Sequence, residues 1–251
     1  MSSPSAERAH VPRLVGVVHL APLPGSPRFA GDLAAVVDAA ARDAAELAAA
    51  GFDAVVVENF GDAPFVPGRV DAVTVAAMTA CARAVRAAAP ALALGVNVLR
   101  NDADAALAVA VASDAAFVRV NVHTGARVTD QGLVQGRAHE TLRRRRELGA
   151  ERVLLFCDVD VKHAAPLAPR PIGEEAVELV ERGLADAVLV TGAGTGQPVA
   201  TADLDAVLDA VREPVLVASG ATEATLPAFA RAHGVIVGSS LRGHGRAGLP
   251  I

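Results

Sequence analysis

Two stretches set side chains that could do chemistry at alternate positions. In 117–132, FVRVNVHTGARVTDQG, strand alternation puts Val118, Val120 and Val122 on one face and Phe117, Arg119, Asn121 and His123 on the other. In DVDVKHA, Asp158, Asp160 and Lys162 share a face, with Val159 and Val161 opposite. The flanking segments read as parallel strands buried on both sides, so these polar faces must point into a shared interior. A charge placed there needs a partner, because burying it unpaired costs several kcal/mol or moves its pKa. Such a set suits acid/base catalysis: Asp158 as the acid/base group, Lys162 as its charge partner, and Arg119, Asn121 and His123 orienting a sugar-like substrate. Asp160 competes with Asp158 for that role if its strand ends later. Lys162, between two carboxylates, reads as a charge clamp in preference to a Schiff-base nucleophile. Neighbouring carboxylates stabilise the ammonium, whereas a nucleophile needs it destabilised.

Eight short apolar segments can position these residues: 14–20, 54–59, 92–99, 117–123, 152–160, 187–191, 215–219 and one within 234–240. Helices are expected between them: one behind Asp32 and stopped by Gly51, one ending before Pro90, and one over 103–112 capped by Asp102. Four more follow, from Gly136 to Gly149, over 174–182, behind Thr201, and after Thr222. The strand–helix rhythm predicts a parallel α/β protein, and eight repeats favour closure into a (β/α)8 TIM barrel, whose usual size of roughly 250 residues fits one domain over 1–251. Residues 1–12 read as a disordered extension. After LRGHGRAGLP too little chain remains for a full eighth helix, so the final helix is expected to be short or missing. The bare groove beside strands one and eight then predicts a homo-oligomer.

Composition narrows the classes of function. The net charge is −5 and Trp and Tyr are absent, which leaves neither a basic patch nor a stacking platform for nucleic acid. Arg143 to Arg146 read as the solvated side of a helix. Cys81 and Cys157 form no metal or redox spacing, which fits a reduced, cytoplasmic protein. No apolar run reaches about 18 residues, and MSSPSAERAH lacks a signal-peptide core, so no transmembrane segment is expected. Peripheral attachment to a membrane needs no sequence signature.

In a barrel, inward residues near strand C-termini meet at the top. That inward set is polar: His19, Glu58, Asn97, Arg119, Asn121, His123, Asp158, Asp160, Lys162, Thr191 and Ser219. Any one of these is more often a satisfied core group; together they cost stability that a purely structural core would avoid, and they point to a functional cavity with Asp158, Lys162, His123 and Glu58 as its catalytic candidates. Three glycine-bearing turns, VTGAGTGQP, ASGAT and VGSS, follow the last three strands. Glycine lets backbone N–H groups approach an anion, so Thr191, Gly192, Gly194, Gly196, Ser219, Gly220, Gly238 and Ser239 are candidate phosphate ligands. Glu58, His123 and Asp158 could hold a divalent ion, but their spacing is not diagnostic, and neither metal nor cofactor is expected.

The segments VHLAPLPGSPRF, VVVENFGDAPF, GVNVLRNDADAALA, RVNVHTGARVTDQG, DVDVKHA, GLADAVLVTGAGTG and GVIVGSSL together resemble the BtpA family, which includes the SgcQ proteins. The resemblance implies a barrel of the ribulose-phosphate-binding kind. What the resemblance implies for function is, in cyanobacteria, a factor needed for photosystem I accumulation and, elsewhere, an expected nucleosidase or sugar-phosphate enzyme whose reaction the family does not fix. It also implies site roles for His19, Glu58, Asn59, Asn97, Arg100, Asn101, Arg119, Asn121, His123, Thr124, Asp158, Lys162 and His163. Asp160 departs from the pattern, which more usually has an apolar residue there. Two functions follow as expectations. One is an enzyme acting on a small phosphorylated sugar or nucleoside-like compound, of nucleosidase, lyase or aldolase type. The other is a non-catalytic assembly factor that binds a small phosphorylated ligand.

Overall fold

The structure is a computed structural model and describes residues 10–192 and 194–241. The expected strands form and close into a barrel. Its eight staves are β1 (Leu14–His19), β2 (Ala54–Glu58), β3 (Ala93–Asn97), β4 (Phe117–Val120), β7 (Leu154–Asp160), β9 (Ala187–Val190), β10 (Val215–Val217) and β11 (Gly234–Val237). All pair in parallel, and β1 closes on β11. Helices α1 (Leu33–Ala49), α2 (Ala72–Ala88), α3 (Ala103–Ser113), α4 (Ala138–Glu147), α5 (Ile172–Glu181) and α6 (Thr201–Ala210) cover the outside. The carboxylates of Asp32 and Asp102 accept from the N–H groups of Ala35 and Ala105, capping α1 and α3 as expected. Thr201 opens α6 without a side-chain cap.

Alternation divides the strands between two cores. Outward residues such as Val55, Val57, Leu94, Leu155 and Val188 pack under the helices. Inward residues Val15, Val56, Phe117, Phe156, Leu189, Leu216 and Ile236 fill the lower half of the barrel. There Phe117 stacks on Phe156, with ring centroids 4.4 Å apart and planes 17° apart. Gly95 makes room for this pair, since a Cβ on it would come within 2.2 Å of the Phe117 ring.

Three features differ from the expected layout. The 121–137 loop carries a β-hairpin, β5 (Ala126–Thr129) and β6 (Gly132–Gln135), to which β8 (Ala164–Pro166) adds a third antiparallel strand. The expected seventh helix is only a 3₁₀ segment, Leu226–Phe229. Thr225 Oγ1 donates to the carbonyls of Gly220 and Thr222, which holds the chain in a turn where the helix would begin. The chain is already placed from His10: Val11 packs against the lower core, and its carbonyl lies 2.8 Å from His233 Nε2. The expected disordered extension otherwise falls on 1–9, and the expected loss of the last helix on 242–251; both lie outside the described residues.

Candidate active site

Above the aromatic pair the barrel interior turns polar, and strand register determines which groups meet. His19 is aligned with Glu58, and Glu58 with Asn97, on neighbouring staves. Arg119 is aligned with Phe156, one layer below Asp158, and reaches up to it. Its guanidinium donates from Nε to Asp158 Oδ2 (3.2 Å), from Nη2 to Asp158 Oδ1 (3.0 Å) and from Nη1 to Glu58 Oε1 (3.2 Å). Asn97 Nδ2 donates to the same Glu58 oxygen at 3.0 Å, and Asn121 Nδ2 to Asp158 Oδ2 at 2.6 Å. All five side chains are buried. The two carboxylates are therefore bridged by an arginine. Burial works against the charge on Arg119, but Asp158 and Glu58 outweigh it and raise its pKa above the ordinary range. Burial likewise pushes the Glu58 carboxyl up, yet Arg119, His19, Lys162 and the Asn97 amide together hold it below the usual carboxylate range.

A cavity opens over this layer in two lobes that share Glu58, Phe60, Arg119, Lys162 and Thr195. The smaller, about 190 Å³, is walled by Gly196, Ser219, Gly220, Gly238, Ser239 and Ser240, with His19 at its edge. The larger, about 380 Å³, is bounded by Arg28, Asn97, Arg100, Asn121 and His163. The His19 ring meets that of Phe60 in a tilted pair, centroids 4.4 Å and planes 35° apart, and its Nε2 lies 3.9 Å from Glu58 Oε2. Two residues that line the larger lobe each bury one polar atom without a partner among the described residues, Arg100 Nε and Asn121 Oδ1. Arg100 Nη2 donates to the Lys162 carbonyl at 2.6 Å, and no carboxylate pairs with this guanidinium among the described residues. Burial lowers its pKa, so an anion in the lobe would be welcome to it.

Lys162 stands where the lobes meet, and its electrostatics reverse the clamp reading. Burial and then the Arg119 guanidinium outweigh Glu58 and Asp158, and the amine is brought down to about 8. Of the carboxylates that would have clamped the ammonium, Asp158 is already engaged by Arg119 and Asp160 by Arg127. Lys162 is also the sole lysine among 23 lysine and arginine residues, a sequence signal that alternation alone does not reveal.

Other expected site residues lie elsewhere. Asp158 is buried beneath the cavity with both oxygens bonded, which leaves it no free oxygen for acid/base work. Asp160 does not replace it. A register shift after Asp158 turns the strand end, and the Asp160 carboxylate, 48 % exposed, accepts from Arg127 Nε. Arg127 in turn bonds the Val159 carbonyl and Glu175, fastening the small sheet to β7 and α5. His123 misses the cavity because β4 ends at Val120; the buried ring meets the Gly183 carbonyl at 2.8 Å behind the barrel wall, and burial lowers its pKa. Asn59 is tied to the Leu99 backbone and Asp62, and Asn101 to both backbone groups of Val122, so each joins loops and faces away from the cavity. Thr124 Cγ2 packs near Gly183. Of the turn residues, Thr191 donates to the Asp160 carbonyl and Gly192 N–H to Ser219 Oγ, and neither lines the cavity; nor does Gly194. Gly196, Ser219, Gly220, Gly238 and Ser239 do, joined by Thr195, Ala221, Thr222 and Ser240. Gly220 is in the left-handed region at φ 66°, and a Cβ there would come within 2.3 Å of Pro198. His163 Nε2 accepts from the Thr195 N–H at 3.2 Å and meets its hydroxyl at 2.9 Å, pinning this turn over the cavity. A neutral ring suits that acceptor role, and burial, Arg100 and Lys162 all lower its pKa.

Among the described residues no group of three His, Cys, Asp or Glu side chains is placed to hold a metal ion, and no helix is long and apolar enough to cross a membrane. An outer groove of about 590 Å³ runs between α3, α4 and β6. Its Arg69, Arg137 and Arg144 already pair with Asp104, Glu140 and Glu147 of the same groove.

The BtpA family model matches residues 10–251. The chain belongs to the BtpA family. It is 47% identical to the photosystem I biogenesis protein BtpA of Synechocystis over 92% of this chain and 81% of that one. A BtpA-family relative from Thermococcus kodakarensis, an uncharacterized protein, is 47% identical over 93% of this chain and 88% of its own length. Among solved structures, N-(5'-phosphoribosyl)anthranilate isomerase from Pyrococcus furiosus superposes with a TM-score of 0.54 at 14% identity, covering 94% and 92% of the two chains. At that identity it shows the fold alone, a TIM barrel shared with this BtpA-family chain.

Proposed function

We propose that this chain is an enzyme acting on a small phosphorylated sugar or nucleoside-like compound at the C-terminal face of its barrel. One observation carries the reading: Glu58 and Lys162 face a cavity whose opposite wall is built of glycine and serine turns. Glycine turns after the last strands of a barrel suit a phosphate, and the phosphate would set the sugar over Glu58 and Lys162. Glu58 replaces Asp158 as the acid/base group, because its Oε2 is free of the bonds that engage Oε1. Arg119 and Asp158 form the buried base on which Glu58 rests. The unpartnered Arg100 and Asn121 atoms supply a donor and an acceptor for the far end of the substrate.

The test is turnover of a panel of ribose phosphates, ketose phosphates and nucleosides. Glu58→Gln should lower the rate about 10²- to 10⁴-fold with binding less affected. Gly238→Val, whose side chain would project toward His19, should raise KM for phosphorylated substrates and abolish stabilisation by phosphate against heat. Full activity in Glu58→Gln removes its role, and unchanged phosphate stabilisation in Gly238→Val removes the phosphate site.

A second reading, a non-catalytic assembly factor, is favoured by the name of the Synechocystis relative and by the small sheet. Val128 and Leu133 are cross-strand partners there, and with Leu167 they leave apolar side chains exposed. No turnover of any panel member, with phosphorylated compounds still bound, would move weight to it. Homo-oligomerisation belongs to either reading, and a monodisperse monomer in sedimentation at micromolar concentration counts against it.

A further inference from the structure

We infer that Lys162 is a nucleophilic amine, which condenses through Nζ with the carbonyl carbon of a phosphorylated sugar-like substrate to give an imine. The inference rests on the reading of the cavity as a sugar-phosphate site and narrows its chemistry to lyase, aldolase or isomerase steps next to a carbonyl.

Three observations converge on it. The first is the choice of residue. This chain uses arginine wherever a basic side chain only carries charge, as in the surface pairs of Arg137, Arg144, Arg170 and Arg231. A guanidinium stays protonated in proteins and cannot attack a carbonyl; an amine can. Its one lysine stands in the cavity. The second is the absence of structural work for that amine. Among the described residues Nζ has neither a hydrogen bond nor an ion pair, while Arg119 holds the Glu58 and Asp158 carboxylates that could have engaged it. The third is placement. Lys162 is one of the five residues that line both lobes, between the glycine turns on one side and Arg100 and Asn121 on the other, where the reactive carbon of a compound anchored by its phosphate would lie. A pKa of about 8 adds that roughly one amine in ten is neutral at pH 7.

The step balances without any outside reagent. The ammonium gives up a proton, the neutral nitrogen forms the C–N bond, and a second N–H proton moves to the carbonyl oxygen. The C–O bond of this carbinolamine breaks, and the hydroxyl leaves as water with a proton equivalent to the one first released. The ammonium and the carbonyl thus become an iminium and one water. The iminium draws electrons from the neighbouring carbon, and Glu58 Oε2 is the carboxylate oxygen left to accept the proton released there.

The test is borohydride trapping on the full chain. Wild type is incubated with dihydroxyacetone phosphate or ribose 5-phosphate, and separately with dihydroxyacetone or ribose, then reduced and digested for mass spectrometry. Because Lys162 is the only lysine, a reduced adduct on a lysine-containing peptide reports on it alone. The expected result is a saturable adduct at Lys162 with a phosphorylated probe, at least tenfold above its phosphate-free counterpart, with a pH midpoint near 8. Lys162→Arg, which keeps the charge, should give none. No adduct in the folded protein, under conditions that label the urea-unfolded chain, overturns the inference. If the phosphorylated probes still stabilise that protein against heat, the imine falls and the sugar-phosphate reading stands. Equal labelling by the phosphate-free probes upholds the imine and removes the phosphate.

Discussion

The two sides of the barrel mouth are built from different materials. From β1 to β7 the rim presents side chains, with Glu58, Asn97, Arg119 and Asp158 held by one another across neighbouring staves and with His19 and Lys162 beside them. From β9 to β11 it presents backbone, with glycines at 196, 220 and 238 and the serines beside them. The difference teaches where each half stores its stability. On the side-chain half Glu58, Arg119 and Asp158 are buried and depend on one another, so chemistry and folding are coupled. On the backbone half the wall is made of glycine and serine turns that bury no charge, so its folding does not hang on an ion pair.

Arg119→Met should separate the halves most sharply. It leaves Glu58 and Asp158 buried without their bridge, and about 3–5 kcal/mol of stability should be lost in urea unfolding. A loss under 1 kcal/mol would mean that the polar layer is not the strut described above. Next in size is the pH dependence set by Lys162. The unfolded lysine keeps its proton up to the ordinary lysine value of 10.5, while the folded one releases it at about 8. Between these values the unfolded chain binds more protons, so this group makes stability rise with pH by about 1 kcal/mol per unit. The buried thiols of Cys81 and Cys157, both raised, push the other way above the ordinary thiol range. The measurement is therefore the difference between wild type and Lys162→Met at pH 8 and pH 10, and a flat difference would break the assignment. The smallest effect belongs to the backbone half. His163→Ala removes two bonds to Thr195 and should weaken phosphate binding roughly threefold to tenfold, read by calorimetry, with little change in stability.

Much of this was legible in the sequence, for identifiable reasons. Alternation assigned the inward set correctly as long as each strand stayed a strand: His19, Glu58, Asn97, Arg119 and Asp158 all point inward as expected. It failed where the strand ended or shifted. His123 lies beyond the last β4 pair, and Asp160 beyond the irregularity in β7, and a period of two carries no information about either event. The hairpin within 126–135 did leave a trace, since TDQG between ARV and LVQ is a turn flanked by strand formers. Lys162 was misjudged for a different reason. Its nearest carboxylates in sequence are not its partners in space, and only the structure shows that Arg119 takes Asp158 and Arg127 takes Asp160.

The stacked Phe117–Phe156 pair, with Leu189, Leu216 and Ile236 beside it, plugs the barrel from below. Among the described residues the cavity is in consequence closed at its lower end. Whatever a reaction at Lys162 yields must depart through the mouth by which the substrate came, and the fragment nearest the glycine turns leaves against the traffic of the next molecule. Product and substrate then exclude each other, and initial rates with added product should show competitive inhibition.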